Sequence, residues 1–220
     1  MNTPAGSACA GLLLAAGQGA RLGTPKAALE FRGERLVDRG ARLLDEGGCH
    51  PVVVVLGAVT VQVRAAVAVR NPDWATGMGS SLRVGLDALP LSAEAVVIAL
   101  VDQPLIGAEA VRRLIEARRG GAQVAAASYG GAMRNPVLIG REHFGEVGRL
   151  AVGDVGARPF LRAHPGLITL VPCDDVGDPA DIDTRDDLAR LSGDRAPSPR
   201  GQAADAGDGP PGVGPGGATR

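Results

Sequence analysis

Apolar residues arrive in three nearly unbroken runs, Cys9 to Ala15, Val52 to Leu56 and Ala95 to Val101, and each stops at or just before a glycine or an acid. Runs this short, continuous rather than alternating, predict strands buried on both faces. Between them the period changes. Leu36 to Glu46 predicts a helix ended by Gly47-Gly48, Ser80-Ser81 predict the N-cap of a helix over Leu82 to Leu89, and Glu109 to Arg119 predicts another before Gly120-Gly121. Val61 to Val69 suits either period and is read as a helix. Farther on, Gln123 to Ser128 and Pro136 to Ile139 predict short strands about a glycine turn. Helices follow over Glu142 to Leu150 and Ala157 to Ala163, then an edge strand at Leu167 to Val171. A last helix, Thr184 to Leu191, is capped by Asp183 or Thr184. Strand and helix in alternation predict an α/β fold with a mostly parallel, doubly wound sheet in a single domain spanning 1–192. From Gly193 to Arg220, Gly and Pro supply 13 of 28 residues and Val213 is the one large apolar side chain, so 193–220 reads as a disordered tail with no core to join.

Composition narrows the function. Aromatics are 2% of residues, so the core must be built from Val, Leu, Ile and Ala. The net charge of −1 without any basic cluster argues against a nucleic-acid partner and for a small ligand. Cys9, Cys49 and Cys173 are widely spaced, with no C-x-x-C, which indicates neither a disulfide framework nor a zinc site and fits a reducing cytoplasm. The apolar patch Ala8 to Ala16 is too short to cross a bilayer, so no membrane role is expected. His50, His143 and His164 have no metal-ligand spacing.

The chemistry concentrates where the first strand ends. Leu14-Ala15-Ala16-Gly17-Gln18-Gly19-Ala20-Arg21-Leu22-Gly23-Thr24-Pro25-Lys26 runs from a strand into a glycine loop with two cations, a means of bringing backbone N–H groups and positive charge to a polyphosphate. Lys26 lies between Pro25 and Ala27, which excludes a P-loop, where Ser or Thr follows the lysine. The glycines are spaced G-x-G-x-x-x-G, and the strand Val52 to Leu56 ends in Gly57-Ala58-Val59 rather than an acid, so a dinucleotide fingerprint fits poorly. Ligands of open parallel sheets sit beyond the strands' carboxyl ends. Asp102-Gln103-Pro104 follows the third buried run and Asp181-Ile182-Asp183-Thr184 follows the last strand. Taken singly these acids are ordinary turn and cap residues; together with a triphosphate they are what Mg²⁺ needs.

On these segments the chain resembles the molybdenum cofactor cytidylyltransferases, across nearly all of residues 9–192. Matching pieces are Leu14 to Lys26, Gly77 to Leu86, Asp102-Gln103-Pro104, Arg134 to Leu138, Gly153 to Arg158 and Asp181 to Thr184. The resemblance implies a Rossmann-like sheet of the nucleotidyltransferase type and transfer of CMP from MgCTP to molybdopterin, with a recipient molybdoenzyme as a further partner. It implies that Leu14, Ala15, Ala16, Gly17, Gly79, Ser80 and Ser81 hold the nucleoside and that Arg21 and Lys26 hold the phosphates. Asp102 and Asp183 would hold Mg²⁺, with Arg21, Lys26 and Asp102 catalytic. Gln103, Pro104, Asn135, Pro136, Asp154 and Arg158 would face the acceptor. Leu-Ala-Ala-Gly favours cytosine, where guanylyl-transferring relatives tend to carry Leu-Ala-Gly-Gly. Asn135-Pro136 stands where many relatives have His-Pro, so Asn135 is either an acceptor contact or a turn residue before proline, and Asp154 with Arg158 is either an acceptor grip or a helix cap and its ion pair. A GTP-using or other-acceptor enzyme, an NAD(P)H-dependent oxidoreductase and a non-catalytic cofactor chaperone stay open.

Overall fold

The computed structural model of the protein describes residues 9–193, so the expected tail past Gly193 lies outside the described residues. β1 (Cys9–Ala15) leads through the glycine loop to a small hairpin of β2 (Glu30–Phe31) and β3 (Glu34–Arg35), then α1 (Leu36–Glu46), β4 (Val52–Leu56) and β5 (Val67–Arg70). α2 (Met78–Asp87), β6 (Ala95–Leu100) and α3 (Ala108–Arg119) follow, then β7 (Val124–Tyr129) and β8 (Ala132–Gly140). The chain closes with α4 (Phe144–Leu150), α5 (Arg158–Ala163), β9 (Ile168–Pro172) and α6 (Arg185–Ser192).

Seven strands form one sheet in the order β5-β4-β1-β6-β8-β7-β9, and only β8 runs against the rest. β1 is central, with Ala15 paired to Leu56 of β4 and Leu14 to Leu100 of β6. The continuous apolar runs therefore meet helices on both sides. Leu13, Val54 and Val97 pack with Leu44 of α1 and Leu114 of α3 in one layer, whereas Leu12, Val55 and Ile98 pack with Leu82 of α2 and Phe160 of α5 in the other. Leu12 and Leu13 are fully buried; each such side chain contributes about 1.5–3 kcal/mol. The core is thus aliphatic, and among the described residues no helix is long and apolar enough to cross a membrane.

Two local expectations give way. Val61 to Val69 is not a helix: its C-terminal part forms β5, parallel to β4 with Val67 opposite Val53. The open edge of β4 offers unpaired backbone groups, and β-branched valines at alternate positions fit a half-exposed edge strand. Val67 accordingly stays largely exposed. The second change concerns Ser80 and Ser81, which are not caps. α2 begins earlier, at Met78, after Gly77 at φ 113°. A Cβ on Gly77 would strike the Gly153 backbone, so this close approach admits only glycine and lets the helix start at the sheet rim.

Candidate active site

Two adjoining clefts open beyond the carboxyl ends of the strands. One, of about 570 Å³, is walled by Ala16, Gly17, Lys26, Ser81, Asp102 and Asp183. Its neighbour, of about 520 Å³, is walled by Gln103, Asn135, Asp154, Arg158 and Asp181 among others. Leu14, Met78, Leu100 and Asp154 belong to both, so the two form one trough with a waist.

The glycine loop sets Lys26. Leu22 and Gly23 both donate to the Gly19 carbonyl, at 2.9 and 3.0 Å, in a turn that Gly19 permits at φ 62°. Pro25 then starts a 3₁₀ turn whose Ala27 is fully buried, anchoring the loop's far end. Lys26 Nζ reaches 2.7 Å from Asp102 Oδ2 and 2.6 Å from Asp183 Oδ1. The two acids converge because the chain ties them together: Ile182 N–H donates to the Asp102 carbonyl at 2.8 Å, and the Ile182 side chain is fully buried. Burial pulls the Lys26 ammonium down, but the charges and hydrogen bonds of Asp102 and Asp183 outweigh it and hold its pKa above the ordinary lysine value. The carboxylate pair suits a hard divalent ion. Asp102 Oδ1 is buried without a partner among the described residues, and a few carboxylates completed by phosphate oxygens and water satisfy Mg²⁺.

Asp183 is fixed in turn by the start of α6. Thr184 Oγ1 accepts from Asp187 N–H at 3.1 Å while the Asp187 carboxylate accepts from Thr184 N–H at 3.0 Å, a capping box. Thr184→Ala is expected to lower stability by about 1 kcal/mol in a urea melt. Hydrogen bonds from Thr184, then Arg190, depress the Asp187 carboxyl to about 2. A depressed acid stabilises fully above its unfolded value, about 3.9, so this contribution disappears only as pH falls through about 2.

Several residues picked from the sequence stand apart from the trough. Ala15 packs into the layer under α1, since alternate residues of β1 face opposite sides. Gly79 lies against the Ala151 backbone, and Ser80 bonds to the Gly77 and Asp73 carbonyls. Arg21 is exposed on the glycine loop, lines neither cleft and has no ion-pair partner among the described residues. Pro104 and Pro136 are not in the walls of either cleft, although the Pro104 carbonyl accepts from Arg39. Asp154, by contrast, lines both clefts; its Oδ1 receives the Met78 N–H at 3.4 Å at the start of α2, and it forms no ion pair with Arg158.

Three residues at or beside the site escaped the sequence reading. Asn71 is fully buried and its amide donates to Ser80 Oγ at 2.8 Å and Ser81 Oγ at 3.0 Å, so it presents Ser81 to the first cleft. Asn71→Ala leaves two buried hydroxyls without that donor; a stability loss of about 1–3 kcal/mol is expected, with weaker nucleotide binding, in paired melting and titration experiments. Trp74, the single tryptophan, walls the same cleft. Arg185 approaches the glycine loop, its Nη2 3.7 Å from where a Cβ on Gly23 would stand. Asp181, already quoted in the segment after the last strand, walls the second cleft, where burial and then the charge of Asp102 raise its carboxyl above the usual range. A lone tryptophan in a strand-tip loop was a usable signal; nothing local marked the others.

Known proteins resemble this chain over most of its length. A protein named nicotine blue oxidoreductase from Paenarthrobacter nicotinovorans is 40% identical, over 82% of this chain and 95% of its own. A probable molybdenum cofactor guanylyltransferase of Opitutus terrae is 38% identical over 46% of this chain and 52% of its own. Among solved structures, the Mycobacterium sp. strain JC1 homologue of Mycobacterium tuberculosis Rv0371c superposes with a TM-score of 0.74 at 30% identity, covering 86% of this chain and 96% of that one. Rv0371C itself, in complex with manganese, gives 0.63 at 25% identity over 84% and 97%. Residues 11–167 match the MobA-like NTP transferase domain, and the chain belongs to that family.

Proposed function

We propose that this nucleotidyltransferase moves CMP from MgCTP to the terminal phosphate of molybdopterin carrying molybdenum, releasing pyrophosphate. The observation that carries the reading is Lys26 held within 2.7 Å of both Asp102 and Asp183 in the wall of the first cleft, which adjoins the second. Ala16, Gly17 and Ser81 would bind the nucleoside, with Leu14-Ala15-Ala16-Gly17 favouring cytosine. Lys26 would neutralise the triphosphate, with the long Arg21 side chain reaching it from its exposed place on the glycine loop, and Asp102 with Asp183 would hold the metal. Bound there, Mg²⁺ would supply positive charge to offset that of the triphosphate.

On the other side of the waist, Gln103 offers an unusual group. Its Nε2 donates to the Pro179 carbonyl at 3.2 Å, which fixes the amide's orientation and leaves Oε1 buried in the cleft wall without a partner among the described residues. Arg158 and Asn135 make no side-chain hydrogen bond among the described residues and stand free to meet an anionic acceptor, while Asp154 touches both compartments. In the reaction, an acceptor phosphate oxygen bonds to the α-phosphorus as its bond to the pyrophosphate oxygen breaks, and the bonding pair leaves with pyrophosphate. The attacking oxygen is already anionic near neutral pH, so the chain needs no general base. Its work is alignment and charge neutralisation.

Pyrophosphate release, assayed with each nucleoside triphosphate with and without molybdopterin, tests this: release dependent on CTP and acceptor supports it, and GTP or an unrelated phosphorylated acceptor working better replaces the specific reading. The 40% identity to a protein named an oxidoreductase favours one second reading, hydride transfer from NAD(P)H. Quenching of Trp74 by NADPH but not by MgCTP is the result that would select it.

A further inference from the structure

We propose that Lys26 holds the metal's place between Asp102 and Asp183 and yields it only to a divalent cation that arrives on a triphosphate, so that metal and nucleotide bind as one ligand. The inference rests on the nucleotidyl-transfer reading and adds to it the order and coupling of binding. Its basis is geometric. One ammonium group touches Oδ2 of Asp102 at 2.7 Å and Oδ1 of Asp183 at 2.6 Å, so it bridges both carboxylates at once, with its side chain only 14% exposed. A lysine ammonium is a compact point charge on a flexible four-carbon stem, able to swing by several ångströms without moving the backbone.

Consider each ligand arriving alone. A bare cation must displace Lys26 from both acids and leave a half-buried ammonium beside a new dication. It gains little in exchange, for among the described residues no group of three or more His, Cys, Asp or Glu gathers to complete its coordination. A bare triphosphate can draw Lys26 towards itself only by leaving Asp102 and Asp183 unbalanced and facing its own negative charge. When the two arrive together, Lys26 turns from the carboxylates to the phosphates and each charge keeps a partner. The coupling is therefore positive and reciprocal: nucleotide tightens metal binding by the factor by which metal tightens nucleotide binding.

This arrangement separates from a lysine that only touches phosphate by the sign of one effect. Removing such a lysine weakens nucleotide binding and leaves the metal indifferent. Removing Lys26 must instead free two carboxylates for the metal while weakening the nucleotide. Titration of Mn²⁺, followed by the electron paramagnetic resonance signal of the free ion, is to be run on the unaltered protein and on Lys26→Met, with and without a non-hydrolysable CTP analogue. Lys26→Met is expected to bind Mn²⁺ alone roughly tenfold more tightly than the unaltered protein and the Mn²⁺–analogue complex less tightly. Equal or weaker Mn²⁺ binding by a folded Lys26→Met overturns the proposal.

A second measurement needs no variant. The ¹³C signal of the Lys26 ε-carbon is expected to stay put with millimolar Mg²⁺ and to move on adding the analogue. A complete shift with Mg²⁺ alone overturns the exchange even if that variant does not fold. Should CTP be bound and turned over while Mn²⁺ affinity is untouched by Lys26→Met, the exchange is wrong and the transferase reading stands. Should no triphosphate bind with any metal, both fall.

Discussion

Replacing Lys26 with Met is expected to lower kcat/KM for pyrophosphate release by roughly 10³-fold, about 4 kcal/mol of transition-state stabilisation. The reason lies in what the substitution leaves behind. Lys26 contacts both Asp102 and Asp183, and in the proposed reaction it would neutralise the charge that builds on the α-phosphate and the departing pyrophosphate. Met preserves the stem's length and packing, so the loss is of charge rather than of shape. The glycine turn, the buried Ala27 and the sheet register do not depend on the ammonium, and the fold should survive. Because the Lys26 pKa is raised, its ion-pair contribution is complete below the unfolded lysine value near 10.4 and fades only as pH rises through the higher folded value. An activity profile that falls between pH 6 and 9 therefore reports another group. Steady-state kinetics with circular dichroism checks this, and activity within threefold of the unaltered enzyme refutes the role.

The second large effect is expected from Asp102→Asn. The asparagine side chain is nearly isosteric, and the main-chain carbonyl that receives the Ile182 N–H is untouched, so the strand tip and the 181–184 segment should stay joined. The negative charge is lost, and with it one of the two carboxylates proposed to hold the metal. Turnover is expected to fall by about 10²–10³-fold and the Mg²⁺ concentration for half-maximal rate to rise. Asp183→Asn should act in the same direction but less, since that side chain is 48% exposed against 20% for Asp102 and so works in stronger solvent screening. A Mg²⁺ titration curve unchanged by Asp102→Asn would refute its assignment as a ligand.

How far the molecule could be read from its residues differs from element to element. The buried strands β1, β4 and β6 were legible because unbroken Leu and Val runs have no other economical use in a short α/β chain, and α1 and α3 because a glycine pair ends each of them. β5 was not, since Val61 to Val69 satisfies two periods and only the free edge of β4 chooses between them. Ser80 and Ser81 look like caps in isolation; the contact of Gly77 with Gly153, which moves the helix start, joins residues 76 positions apart.

The site followed the same division. Lys26, Asp102 and Asp183 could be named because each sits at a strand tip or beside a glycine turn, where residue type and position coincide. That Lys26 would spend its charge on both acids, rather than point at open solvent, is a property of three segments brought together and of the Ile182 bond that clamps two of them. Asn71 illustrates what remains hidden. It looks like an ordinary residue before Pro72, yet it is fully buried and orients both serines of α2. Ala15 shows the other side: it lies in the signature, but strand alternation turns its side chain into the opposite layer.

The most direct test is to locate the metal. Crystals of the protein with Mn²⁺ and a non-hydrolysable CTP analogue, measured at the manganese absorption edge, are expected to show one anomalous peak within coordination distance of Asp102 and Asp183, the Lys26 ammonium turned to the phosphates, and the base beside Gly17 and Ser81. Manganese away from both carboxylates, or a nucleotide seated outside the trough, would contradict it.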